Sequence, residues 1–113
     1  MMKPGFIFLY MKYHKLVRDN IPTLIESKGG KVVTHIAEDK EYEEKLIEKL
    51  DEEVIEYNSD RTIEELADIL EVVYAIGEYQ GVDKDTLEEM RLKKREARGG
   101  FEQRIILDET IDS

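Results

Sequence analysis

Apolar residues recur every three to four positions through most of this chain, and that recurrence outlines its helices. In residues 39–57, Tyr42, Leu46, Leu50 and Val54 fall four apart, with Ile47 and Ile55 widening the stripe. That spacing places them on one face of a helix, and Asp39 stands where an N-cap belongs. In residues 62–80, Ile63, Leu66, Ala67, Ile69, Leu70, Val72, Val73, Tyr74 and Ile76 cover most of the circumference. A helix so apolar is central in its domain or lies at a subunit interface. Gly81 ends it, and Asp83 caps a third long helix over 84–98, with Leu87, Met90 and Leu92 turned inward and Gly99-Gly100 as its stop. A shorter helix is expected over 21–28, with Asn20 as cap, Pro22 in the first turn and Gly29-Gly30 at its end.

The period changes in two places. Residues 31–37, KVVTHIA, and 103–107, QRIIL, are rich in β-branched side chains, which favour strands. The expected architecture is therefore mainly α: an antiparallel helical bundle with a small two-stranded sheet from residues 31–37 and 103–107. Residues 11–113 are expected to form a single domain. Residues 1–10 read either as an N-terminal extension or as an edge strand. Their apolar run, Gly5 to Tyr10, is too short for an export signal.

Composition narrows the functions open to this chain. Its 113 residues, 41% hydrophobic and 39% charged, suit one modest core under a heavily charged surface. A net charge of −10, from 27 acidic and 17 basic residues, disfavours nucleic-acid and anionic-membrane partners. There is no cysteine, which removes thiolate metal sites and cysteine nucleophiles and fits a reducing, cytoplasmic setting. No apolar run approaches the ~20 residues of a membrane span. P-loop, GxGxxG, EF-hand and G-x-S-x-G patterns are missing, and His14 and His35 both fall outside the long helices. That distribution argues against di-iron bundles and histidine-bound zinc.

The remaining chemistry lies in the carboxylates. Glu53-x-x-Glu56 and Glu65-x-x-Asp68 each place two on one helical face. The polar link Asn58-Ser59-Asp60-Arg61 between them is short enough to bring the helices side by side. Like charges ~5 Å apart at an effective dielectric of ~20 repel by about 3 kcal/mol per pair. A divalent cation relieves that repulsion, and oxygen-only ligands favour Mg²⁺ or Mn²⁺. Each pair also has an ordinary reading. Glu53 and Glu56 belong to a glutamate-rich helix, and Glu64, Glu71 and Glu78 suit a solvated face. Thr62-x-x-Glu65 has the form of a capping box, in which Glu65 bonds back to the Thr62 amide. Asp68 stands apart: it is embedded in Leu66-Ala67-Asp68-Ile69-Leu70 with no basic residue within a helical turn, and a partly buried charge needs a partner. Lys93, Lys94, Arg95 and Arg98 gather before Gly99-Gly100, where they complement a helix C-terminus or grip phosphates.

The blocks Leu50-Asp51-Glu52-Glu53-Val54-Ile55-Glu56 and Glu64-Glu65-Leu66-Ala67-Asp68-Ile69-Leu70 resemble the E-E-x-x-E … E-x-x-D signature of the MazG-like all-α nucleotide pyrophosphohydrolases. That superfamily includes phosphoribosyl-ATP pyrophosphohydrolase and dimeric dUTPases. Residues 15–22, KLVRDNIP, and 94–101, KREARGGF, look like a subgroup of house-cleaning enzymes within it. The likeness spans about residues 12–108.

The resemblance implies Mg²⁺ on Glu53, Glu56, Glu65 and Asp68, and cleavage of a nucleoside triphosphate between the α and β phosphates to monophosphate and pyrophosphate. It places Glu52 where a second metal or the attacking water is bound, and Glu52 or Glu56 is the expected proton acceptor. Lys15, Arg18, Lys94, Arg95 and Arg98 are the expected phosphate contacts. Homodimers or homotetramers are implied as well. The strand-like segments depart from the family pattern. Two other readings remain open: phosphoribosyl-ATP hydrolysis in histidine biosynthesis, and a non-catalytic helical dimerisation module.

Overall fold

The structure is a computed structural model, and it describes residues 13–112. The expected extension over residues 1–10 lies outside that range. Four helices make up the described chain: α1 (Ile21–Ser27), α2 (Asp39–Asp60), α3 (Ile63–Tyr79) and α4 (Lys84–Arg98). None among the described residues is long and apolar enough to cross a membrane. The chain divides into two compact units, one ending at Ile76 and one beginning at Gly77.

In the first unit, α2 presents Leu46 and Glu53 to the interior, and α3 presents Val72. Leu46 and Val72 are the buried hydrophobic residues among those described. Ile63, Leu66 and Leu70 stay exposed, and at ~100° per residue they share roughly a 60° arc of α3. Val72 and Glu65 lie on the opposite side of that helix. α3 therefore has two working faces, an inner one carrying the acids and an outer apolar one.

The link between α2 and α3 is shorter than the sequence suggests. Asn58, Ser59 and Asp60 prolong α2 by almost a turn, leaving Arg61 and Thr62 between the helices. Arg61 closes α2 in the left-handed conformation (φ 54°, ψ 37°), its amide donating to the Tyr57 carbonyl at 2.7 Å. Two expected caps are also corrected. Asn20 has helical backbone angles and makes no capping side-chain bond. Glu38, not Asp39, holds the N-cap position of α2, again without a side-chain bond, and Asp39 is the first helical residue.

In the second unit, Gly81 takes φ 82° and lets its own amide and that of Val82 return to the carbonyls of Glu78 and Gly77, at 3.0 and 2.8 Å. This is a Schellman closure, which needs a residue tolerant of positive φ. Asp83 caps α4 as expected, accepting from the Thr86 amide at 2.8 Å.

The two-stranded sheet is not formed: no strand occurs among the described residues. Val33 and Ile36 are almost wholly exposed, and Ile105, Ile106 and Leu107 largely so. β-branched side chains favour a strand through the surfaces they pack against, and neither segment has one. A lone two-stranded ribbon is also marginal in water. Within 103–107 the backbone itself interrupts a strand, because Arg104 adopts φ 57° and its amide turns back to the Phe101 carbonyl.

Candidate metal centre

Glu53 of α2 and Glu65 and Asp68 of α3 each turn one carboxylate oxygen toward a common point, all within 4.8 Å of one another. These are three of the four metal ligands expected from the sequence. They meet because α2 and α3 are joined by only two residues, so acids near the end of one helix face acids near the start of the other. The cluster is graded in depth. The Glu53 side chain is 8% exposed and that of Asp68 39%. One oxygen of Glu53 and one of Glu65 (Oε2 in each) is buried and lacks a hydrogen-bond partner. A buried, unsatisfied carboxylate oxygen is costly, and here two of them belong to the same small group of acids.

The electrostatics agree. Burial pushes the Glu53 carboxyl above the ordinary carboxylate range, with Glu56 and Asp68 adding to the rise and Lys49 opposing it. Burial also raises Glu65, with the charges of Glu56, Asp68 and Glu53 adding to the rise. Glu56, the fourth expected ligand, is outside the tight trio, though its charge acts on both Glu53 and Glu65. The capping box is half formed. The Thr62 hydroxyl accepts from the Glu65 amide at 3.3 Å, while the Glu65 carboxyl faces the other acids. Glu64, Glu71 and Glu78 are exposed, as a solvated face requires.

Three cations balance the acids. Arg18 Nη2 donates to Asp68 Oδ1 at 2.7 Å, and Lys15 Nζ to Glu52 Oε1 at 3.1 Å. Asp68 therefore has the partner that its own helix does not supply, from 50 positions away. Lys49 is the residue that motif reasoning missed. Its Nζ lies 3.2 Å from Glu53 Oε1 and 3.7 Å from Glu52 Oε1. Its i, i+4 spacing to Glu53 was the available signal. Of the expected phosphate contacts, Lys15 and Arg18 reach the acidic group. Lys94, Arg95 and Arg98 are exposed on α4 in the second unit. Arg95 there pairs with Glu102 and holds that carboxyl below its ordinary range.

Three oxygen donors of graded exposure, two with unsatisfied buried atoms, suit a hard divalent cation. The donor set fits Mg²⁺ or Mn²⁺ and offers no nitrogen or sulfur for softer metals. No family model matches this chain, and neither a curated protein nor a solved structure matches it.

Proposed function

We propose that this chain is a Mg²⁺-dependent nucleoside triphosphate pyrophosphohydrolase of the MazG-like kind, acting between the α and β phosphates, with non-standard nucleotides among its substrates. The observation that carries the reading is the convergence of Glu53, Glu65 and Asp68 within 4.8 Å, with unpartnered buried oxygens on Glu53 and Glu65. Glu53, Glu65 and Asp68 would hold the ion, with Glu56 beside them. A bound Mg²⁺ would supply charge neutralisation for the phosphates and a more acidic water.

The chain's own groups divide the remaining work. Glu52 has two ammonium groups, Lys15 and Lys49, competing for its lone pairs, so its role is to orient. Among the described residues no ion pair engages Glu56, which makes it the better acceptor for the proton of the attacking water. Lys15 and Arg18, already directed at the acidic group, would meet the negative charge that grows on departing pyrophosphate. The basic cluster of Lys94, Arg95 and Arg98 supplies further phosphate contacts in this reading. An antiparallel bundle assembled as a homodimer or homotetramer accords with the exposed Ile63, Leu66 and Leu70 and with the thin core of the first unit.

The test is a panel of standard and modified nucleoside triphosphates, with phosphoribosyl-ATP included, assayed with and without Mg²⁺. Products are separated as monophosphate plus pyrophosphate or diphosphate plus phosphate. Release of pyrophosphate that requires Mg²⁺ supports the reading. Turnover of phosphoribosyl-ATP alone would assign the biosynthetic reaction. No turnover across the panel would leave the helical association module.

A further inference from the structure

We propose that Arg18 and the divalent cation compete for Asp68, so that arrival of the cation hands the Arg18 guanidinium over to an anionic ligand. This rests on the metal-site reading above and adds an order of events to it. The cluster is more than a set of acids, because Glu53 is nine-tenths buried and one of its oxygens has no partner.

The three cations around the cluster differ in how firmly they are placed. Lys49 is 17% exposed and lies one turn from Glu53 on the same helix, so its own helix holds it beside the acids. Arg18 comes from the non-helical segment before α1, is 54% exposed, and meets Asp68 at its outer rim. An ion pair that exposed contributes little to stability and is readily exchanged. Asp68 Oδ1 accepts from Arg18, and Asp68 also supplies an oxygen to the trio. A divalent cation held by that trio repels a guanidinium on one of its own ligands, so each occupant weakens the other. Once freed, the planar fork of Arg18 matches the paired oxygens of a phosphate or sulfate. An anion that draws Arg18 from Asp68 must then strengthen cation binding, and the cation must strengthen anion binding by the same factor. Lys45 provides the internal comparison: it pairs with Glu48, which is outside the trio.

The experiment measures Mn²⁺ binding to the full chain by counting free Mn²⁺ by electron paramagnetic resonance. It compares sulfate with chloride at constant ionic strength. Wild-type protein should bind Mn²⁺ about 5-fold or more tightly in sulfate. Arg18→Gln should bind Mn²⁺ more tightly than wild type in chloride and lose the sulfate effect. Lys45→Gln should keep the effect. Arg18→Lys, which retains the charge but not the fork, should fall between wild type and Arg18→Gln. The exchange is overturned if Arg18→Gln binds no more tightly than wild type, if it keeps the sulfate response, or if Lys45→Gln behaves identically. An absence of saturable Mn²⁺ binding by the wild type would overturn the metal-site reading itself. Saturable binding that ignores Arg18 removes only the exchange.

Discussion

The ammonium of Lys49 stands 3.2 Å from the carboxylate of Glu53, one turn away on α2, and both side chains are largely shielded from water. The pair places an ammonium group against the deepest acid of the cluster. Removing one partner of a buried ion pair leaves the other uncompensated. Lys49→Met should therefore destabilise the cation-free protein by roughly 3–5 kcal/mol. Urea unfolding with and without Mg²⁺ checks this, and added Mg²⁺ should recover part of the loss.

Glu53→Gln combined with Asp68→Asn removes one deep and one outer ligand while preserving side-chain shape. Mg²⁺-dependent nucleotide turnover should fall by more than about 100-fold. Far-UV circular dichroism should remain that of the wild type. A double variant that still hydrolyses nucleotides at the normal rate would place the active site elsewhere.

Glu65 leads to a prediction about pH. Burial and the neighbouring Glu56 raise its folded value above the ordinary one. Ionisation then works against the fold, and acidifying through the raised value removes that penalty. Without divalent cations, Glu65→Gln should be more stable than wild type at neutral pH. The two proteins should converge once the pH falls below the ordinary glutamate value, where Glu65 is protonated in both states. Melting temperatures across an acid series in chelator test the sign.

Asp83 should behave in the opposite sense. Its hydrogen bonds to Thr86 hold its carboxyl below the usual range, so it stabilises α4 while ionised. That contribution is complete above the unfolded aspartate value and is lost as pH falls through the lowered folded value. Asp83→Ala should reduce stability at neutral pH and match wild type in strong acid. Thermal melts followed by circular dichroism resolve the difference.

The outer face of α3 can be tested by charge. Ile63, Leu66 and Leu70 are exposed on it, away from Glu65 and Val72. If copies of the chain associate there, Leu66→Glu with Leu70→Glu should shift the protein to monomer in analytical ultracentrifugation. An unchanged sedimentation profile would move the association surface elsewhere.

The helices were legible because their signals are local. The four-residue recurrence in α2, the apolar run of α3 and the Asp83 cap are all read within one or two turns. Glu53, Glu65 and Asp68 could be paired from spacing and a short link. The Arg18–Asp68 contact could not, because its 50-residue separation leaves no periodic trace. Lys49 was readable but lay outside the carboxylate motif. The end of α2 was misplaced because Asn58, Ser59 and Asp60 usually favour turns and here complete a helix. The sheet was misread for a related reason: KVVTHIA and QRIIL state a preference that only a packed partner can satisfy.

The two-residue link at Arg61 and Thr62 also fixes a helical phase. One inserted residue would advance α3 by about 100° relative to α2, turning Glu65 and Asp68 away from Glu53 without altering a single acid. The spacing of the centre is therefore written in chain length as well as in composition. Point substitutions at positions 61 and 62 would leave the acids in register, whereas insertions or deletions there would dismantle the centre.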